Sequence, residues 1–143
     1  MNVSIIFTKE GGRVSDIGKR LQEVERRIEA ARRRSPYGQD VILVAVTKFH
    51  PLENMEEVLR LGVTQVGENR VQEMEEKHDR LTLPAVWHLQ GHLQRNKVKK
   101  AVALADLIQS VDSAGILKEI DKRAEQAGKK PVSYTHLRAH ETL

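Results

Sequence analysis

The sequence predicts an α/β fold built on a parallel β-sheet, and three observations support this prediction. The run 41–46 is apolar throughout and rich in β-branched residues, which is typical of a strand buried on both faces. Short apolar runs then alternate with amphipathic helical patterns along the chain. The intervening loops are short, and such a strand–helix repeat calls for right-handed βαβ units and parallel strands.

Among parallel folds, a (β/α)8 TIM barrel is favoured over a nucleotide-binding fold. No phosphate-binding motif of the GxxxxGK[ST] or GxGxxG type follows any of the predicted strands. A barrel of this kind needs about 250 residues, and roughly 200 at the least. The chain has 143 residues, so the sequence predicts the N-terminal half of such a barrel.

The first helix is predicted from Ser15 to about Arg34, because Ile17, Leu21 and Ile28 fall on one face. Ser15 or Asp16 is expected to cap its N-terminus. The strand 41–46 follows, ending in Thr47-Lys48. The remaining predicted elements are helix 52–61, strand 63–67, helix 70–81, strand 85–91, helix 94–104, strand 107–112, helix 114–127 and the beginning of a fifth strand at 129–132.

Both ends of the chain differ from this pattern, so we predict three segments: a leader 1–13, a partial barrel 14–132 and a tail 133–143. Val3–Phe7 fits either an edge strand or a disordered leader, and we expect native sequence to start near Val14. The tail is polar where a strand should continue, and we expect it to be non-native. His136 and His140 have metal-ligand spacing on a helix, but we expect no metal site there.

Composition restricts the classes of partner and compartment. Net charge is +4 with 31% charged residues, which indicates a solvated surface with a mild preference for anions. The chain has no cysteine and no apolar run long enough to span a membrane, so we expect a cytoplasmic protein without a membrane partner. The basic segment 94–100 contains no aromatic residue for base stacking, so we expect no nucleic-acid partner.

Lys48 is the principal candidate for chemistry, since it directly follows the apolar strand 41–46 and Thr47. In α/β folds the functional residues collect at the C-terminal ends of parallel strands. A lysine forms a Schiff base with an aldehyde only as the neutral amine, and burial favours that form. The alternative is that Lys48 is simply the first solvated residue after a strand.

The other strand ends supply further polar side chains to the same edge. Asn69 follows the second strand, His88 lies on the third, and Ser110 lies near the end of the fourth. A shared pocket requires this arrangement, although each residue could equally be a turn or cap residue. Asp112 or Ser113 is expected to cap the next helix.

A metal site at this edge is not expected. His88 and His92 are four residues apart but lie on a strand and its loop, so they do not share a face as two such histidines on a helix would. His88 alternates with Trp87, so one of the two side chains should point into the barrel and the other toward the helices.

Four motifs together resemble the pyridoxal phosphate homeostasis family. They are AVTK with a following His-Pro (45–51), VGENRVQE (66–73), WHLQGHLQRNK (87–97) and IQSVD (108–112). They occur in the family's order and at similar spacing, and the resemblance covers about residues 14–132.

The resemblance implies an alanine-racemase-like (β/α)8 barrel that holds pyridoxal 5′-phosphate (PLP). Lys48 matches the lysine that forms the internal aldimine, and Asn69 matches a residue near the cofactor. His88, Asn96 and Ser110 match motif positions that we assign to the rim of the pocket. No metal is implied.

The resemblance also implies a function in cofactor homeostasis, as a carrier rather than a catalyst, with apo forms of PLP enzymes as possible recipients. A PLP-dependent racemase or decarboxylase on the same barrel is the alternative. A basic nucleic-acid-binding module is a more distant one. The family's later strands and their phosphate-binding loops have no counterpart in this sequence, so we expect the 143-residue chain to bind PLP weakly or not at all.

Overall fold

The computed structural model describes residues 2–6, 15–129 and 132–135 and contains a parallel six-stranded sheet in which the strands lie in chain order. The strands are β1 (Asn2–Ile6), β2 (Ile42–Val46), β3 (Gln65–Glu68), β4 (Val86–Leu89), β5 (Leu107–Val111) and β6 (Val132–Thr135). This order confirms the predicted parallel α/β architecture.

Each pair of consecutive strands is connected through one helix. The helices are α1 (Ser15–Arg34), α2 (Leu52–Arg60), α3 (Val71–His78), α4 (Val98–Leu104) and α5 (Ala114–Ala127). Because right-handed connections between sequential parallel strands all cross on the same side, this order places the helices on one face of the sheet. None of the described helices is long and apolar enough to cross a membrane.

The hydrophobic core lies between that face and the helices. Val66, Trp87 and Ile108 of the sheet pack in one buried cluster with side chains of α2 to α5, including Met55 and Met74. A second cluster joins Ala45 of β2 to Leu21 of α1 and Val58 of α2.

The opposite face of the sheet carries a different set of residues. Val46 and His88 are both in register with Gly67, so they share a face, and that face alternates with the one carrying Val66 and Trp87. Trp87 therefore points to the helices and His88 away from them, as the alternation predicts. Val44 and Val46 are fully buried although they belong to neither helix-facing cluster.

Several helices and strands are shorter than predicted. Helix α3 ends at His78 rather than at residue 81, because the amides of Arg80 and Leu81 both bond to the carbonyl of Lys77 and tighten the last turn. Helix α4 begins at Val98 rather than at residue 94, since a 3₁₀ turn precedes it. Strand β3 begins at Gln65, because Val63 N bonds back to helix α2.

The cap predictions are partly confirmed. The Ser113 hydroxyl accepts a hydrogen bond from Ile116 N (3.3 Å) and caps α5, so Ser113 rather than Asp112 has this role. Gly128 ends α5 with a φ of 61°, a conformation that favours glycine. Helix α1 begins at Ser15, and the residue before it lies outside the described residues, so the cap at Ser15 or Asp16 stays a prediction.

At the two ends of the chain, short strands extend the sheet. Asn2–Ile6 forms an edge strand beside β2, which decides between the two alternatives for that part of the leader. Strand β6 pairs with β5 and crosses the boundary predicted at residue 133. Residues 7–14, His136 and His140 lie outside the described residues, so the proposed origins of leader and tail stay predictions.

Candidate functional site

The C-terminal ends of β2 to β5 meet at one edge of the sheet because the strands are parallel. Lys48 is half-buried in the turn that follows β2. Asn69, also half-buried, follows β3 directly, and Ser110 lies at the end of β5. His88 lies within β4 and is fully buried. The four predicted site residues thus reach this edge from four adjacent strands.

The turn that carries Lys48 has an unusual backbone. Phe49 has a φ of 62°, the left-handed region that a residue with a bulky side chain rarely adopts. Its ring is 61% exposed and lies 5.5 Å from the guanidinium carbon of Arg70. The turn closes through a bond from His50 N to the carbonyl of Thr47 (3.0 Å).

A group of four side chains, which we name the charged cluster, lies behind this turn between the sheet and α3. Its members are Thr47, Glu68, Glu73 and Lys77. The Lys77 ammonium donates to the Thr47 carbonyl (2.7 Å), to Glu68 Oε1 (2.6 Å) and to Glu73 Oε1 (2.8 Å). An ammonium has three N–H donors, so these contacts use all of them. The Thr47 hydroxyl also donates to Glu68 Oε1 (2.6 Å).

Two carboxylates share one cation in the charged cluster, and the cation and one of the carboxylates are buried. The Glu68 side chain is 0% exposed and that of Lys77 is 8% exposed. Burial raises the pKa of the Glu68 carboxyl, and the bonds from Lys77 and Thr47 offset only part of the rise. Glu68 Oε2 is buried and accepts no hydrogen bond from the protein.

The opposite face of the sheet carries a neutral group, which we name the amide–imidazole chain. It consists of Gln65, His88, Gln109 and Gln90, from β3, β4 and β5 and the residue after β4. His88 Nε2 lies 2.6 Å from Gln65 Oε1, and its Nδ1 lies 3.1 Å from Gln109 Nε2. Gln90 Nε2 donates to Gln109 Oε1 (2.8 Å). Gly67 leaves room for this chain, since a Cβ there would lie 2.9 Å from Gln90 Oε1.

The partners of His88 define its protonation. An amide nitrogen only donates and an amide oxygen only accepts, so the contacts fit a neutral ring with the proton on Nε2. Burial lowers the pKa of His88 and favours the same neutral form. The amide–imidazole chain therefore offers hydrogen-bonding groups without charge.

A third set of contacts fixes the loop after β4. Gly91 lies so close to Asn69 that a Cβ would be 2.1 Å from the Asn69 carbonyl oxygen, which only glycine permits. The Ser110 hydroxyl donates to the carbonyl of Gly91. Next to it, His92 Nδ1 pairs with Asp112 Oδ2 at 2.9 Å on the exposed surface.

The predicted residues thus fall into separate groups. Asn69 and Ser110 meet through Gly91, whereas His88 belongs to the amide–imidazole chain. The backbone of the Lys48 turn is connected to α3 through the charged cluster. Asn96 is exposed in the 3₁₀ turn before α4. Among the described residues, no group of three or more His, Cys, Asp or Glu is arranged to hold a metal ion.

Sequence reasoning missed the charged cluster and the three glutamines. One signal was present, because Glu73 and Lys77 are spaced i,i+4 on a helix that follows Glu68. Such a pair usually lies on a solvated helix surface. Nothing in the sequence distinguishes Glu73 from Glu75 and Glu76, which are more exposed in the structure.

Comparison with known proteins gives relatives named pyridoxal phosphate homeostasis protein. The pyridoxal phosphate homeostasis protein of Aquifex aeolicus is 39% identical over 108 residues, which are 74% of this chain and 47% of the relative. That of Helicobacter pylori is 32% identical over 115 residues, covering 79% and 52%. The chain is a homologue of the pyridoxal phosphate homeostasis proteins. No model of a protein family matches it.

Solved structures agree with this relationship. PipY of Synechococcus elongatus without PLP is 36% identical, with a TM-score of 0.70, and the match covers 88% of this chain and 57% of PipY. PipY with PLP bound gives a TM-score of 0.69 at 35% identity, covering 85% and 56%. The chain spans about half the length of the pyridoxal phosphate homeostasis proteins that it matches.

Proposed function

We propose that the whole protein binds PLP and takes part in homeostasis of this cofactor inside the cell. The observation that carries the proposal is Lys48, placed at the C-terminal end of β2 in a turn whose backbone is held on both sides. The relatives' names and the PipY structure with PLP bound support it.

In this proposal Lys48 holds PLP as a Schiff base. The neutral amine adds to the aldehyde carbon, a C=N bond forms, and the carbonyl oxygen leaves as water. The Thr47 side chain lies on the side of α3, where its hydroxyl bonds to Glu68. In the proposal, the Lys48 amine is directed to the other face, which carries Val46 and His88. The residues present fit the cofactor in this respect, since they combine a lysine amine with uncharged hydrogen-bonding groups on one face.

The other predicted site residues have supporting roles in the proposal. Asn69 and Ser110 hold the Gly91 loop, which forms one wall of the pocket, and His88 holds the amides of Gln65 and Gln109. In this way all three contribute to cofactor binding at the rim and floor of the pocket.

We further propose that the sheet is the N-terminal half of an alanine-racemase-like (β/α)8 barrel. Sequential parallel strands with all helices on one face are the arrangement from which such a barrel is built. The opposite face, with Val44, Val46 and His88, then becomes the barrel interior. The similarity to PipY over more than half of its length supports this reading.

A carrier is favoured over a racemase or decarboxylase by one further observation. The three histidines near this edge have partners of their own: His88 lies between two glutamines, His92 pairs with Asp112, and His50 contacts Asn54. The relatives reported above are named for homeostasis of the cofactor. We therefore propose a cytoplasmic carrier that passes PLP to apo forms of PLP enzymes.

The proposal is tested by titrating the chain with PLP and recording the absorbance band of the Schiff base, with whole-length PipY as the positive control. Because the chain by itself is expected to bind PLP weakly, we expect a band only at high PLP concentration. That band should be lost in Lys48→Ala and kept in Lys118→Ala, which removes an exposed lysine of α5. A band that survives Lys48→Ala would reject the role of Lys48. No band in the chain beside a clear one in PipY would reject PLP binding by these residues alone.

A second measurement separates the carrier from the enzyme. The PLP-loaded protein is incubated with a panel of amino acids, and racemisation and CO₂ release are followed. We expect neither. Turnover of any amino acid that depends on Lys48 would establish the enzyme alternative instead.

A further inference from the structure

We infer that Glu73 and Lys77 of α3 are positioning residues for Lys48, because they fix the two peptide groups on either side of it. The inference rests on the proposed function and adds to it the residues that set the direction of the amine. Neither residue touches the cofactor in this account; both act through the backbone of the turn.

The geometry is direct. The carbonyl of Thr47 belongs to the peptide group that precedes Lys48, and it accepts a hydrogen bond from Lys77 Nζ (2.7 Å). Phe49 N belongs to the peptide group that follows Lys48, and it donates to Glu73 Oε1 (2.7 Å). Glu73 and Lys77 are one helical turn apart and are bonded to each other (2.8 Å). Both flanking peptide planes are thus held by adjacent side chains of one helix.

The left-handed backbone of Phe49 indicates that the bonds from α3 to this turn have a function. A left-handed φ at a non-glycine residue persists only where the surroundings impose it, and such residues concentrate at functional sites. Phe49 has this φ, and it is imposed here by the Glu73 bond and by the Arg70 guanidinium over the ring. A turn held only for stability could have relaxed by placing glycine at this position.

The distribution of charge supports the same conclusion. Glu68 would suffice as a partner for Lys77, since the two are 2.6 Å apart in a buried site. Glu73 adds a second carboxylate, and its distinct contact is the amide of Phe49. This second carboxylate, which is partly exposed, is therefore explained by the backbone bond that it makes beside Lys48.

The chain offers a matched set of variants to test this. Glu73→Ala removes the acceptor for Phe49 N but leaves Lys77 paired with Glu68, and alanine is a good helix former. Glu73→Gln keeps an oxygen acceptor while removing the charge. Glu75→Ala is the control, because it makes the same change on the same helix and removes only the ion pair with Lys100.

Two readouts are needed. The first is amide hydrogen exchange of Phe49 without PLP, compared with the amide of Asp79, which bonds within the end of α3 to the carbonyl of Glu75. We expect exchange at Phe49 to rise about tenfold in Glu73→Ala, with Asp79 unchanged, since a hydrogen bond to a charged group is lost. Glu73→Gln should recover part of the protection, and Glu75→Ala should leave it unchanged.

The second readout is the PLP titration of the same variants. We expect the apparent affinity for PLP to fall about tenfold in Glu73→Ala and to be partly restored in Glu73→Gln. Unchanged exchange at Phe49, or a changed turn with unchanged PLP affinity, would overturn the inference. If the unaltered chain gives no PLP band while exchange at Phe49 responds as expected, PLP binding by these residues alone is rejected and the attachment of the turn to α3 stands.

Discussion

The two sides of the sheet pair their buried polar groups in different ways. On the helix side, the charged cluster places two carboxylates beside one ammonium, with Glu68 and Lys77 buried and Glu73 partly exposed. On the opposite side, in the amide–imidazole chain, the fully buried His88 forms hydrogen bonds with the uncharged amides of Gln65 and Gln109. Both lie close to the edge that carries Lys48.

This difference between a charged and a neutral side indicates that the two sides have different roles. Bonds to a charged group are roughly twice as strong as neutral ones, which suits the charged cluster to hold a strained turn. A neutral hydrogen-bonded face adds no fixed charge that would oppose a neutral amine or an anionic ligand. In the proposed function, backbone control and ligand contact are therefore assigned to opposite faces of the same strands.

The largest effect is expected for Lys77→Met, which keeps the length of the side chain but removes the ammonium. The change leaves Glu68 buried without its cation, and breaking a buried pair in this way costs about 3–5 kcal/mol. Urea unfolding followed by circular dichroism measures the loss.

Two companion variants make this prediction specific. Lys100→Met removes an ion pair that is half exposed, so it should cost less than about 1 kcal/mol. Adding Glu68→Gln to Lys77→Met should recover part of the stability, since it removes the stranded charge. Equal losses in Lys77→Met and Lys100→Met would show that the charged cluster is not buried as described.

A smaller loss is expected on the neutral side. Gln109→Leu removes both the donor to His88 Nδ1 and the acceptor for Gln90, with an expected cost of about 1–3 kcal/mol. Gln126→Leu on the exposed surface of α5 is the control and should stay within about 0.5 kcal/mol. A loss in Gln109→Leu as large as that in Lys77→Met would contradict the contrast between the two sides.

The two sides should also respond to pH in opposite directions. The pKa of Glu68 is raised above its ordinary 4.5, so the folded protein binds the proton more tightly than the unfolded chain. Its contribution to stability is therefore present below 4.5 and is lost as the pH rises through the folded value. The pKa of His88 is lowered below 6.5, so its contribution is lost as the pH falls below 6.5.

Unfolding free energies measured across this range test both signs. As the pH rises, the unaltered chain should lose unfolding free energy relative to Glu68→Gln. As the pH falls, it should lose unfolding free energy relative to His88→Gln. Slopes of the same sign for the two variants would show that one of these side chains is not in the environment described.

Much of the fold followed from the sequence because its signals are local. The apolar run of β2 and the stripe of α1 depend on residues close together in the chain, and both elements lie where the pattern indicates. The limits of α3 and α4 did not follow, since the tightening at Lys77 and the 3₁₀ turn at 95–97 depend on hydrogen bonds that composition does not reveal.

The site divides in the same way. The placement of Lys48, Asn69, His88 and Ser110 on neighbouring strands was predictable, because strand ends in a parallel sheet converge by topology alone. The bonds that α3 makes to the backbone on either side of Lys48 were not predictable, because they join residues 24 and 30 positions apart. Lys77 resembles a surface lysine in sequence, and only packing against Glu68 and Thr47 makes it buried.

The most direct test of the central claim identifies the lysine that holds PLP. The chain is incubated with PLP and reduced with borohydride, so that any C=N bond becomes a stable amine, and the modified peptide is located by mass spectrometry. We predict that the reduced cofactor lies on Lys48 in preference to exposed lysines such as Lys99 and Lys118. Label spread evenly over the exposed lysines, with none in excess at Lys48, would contradict the account.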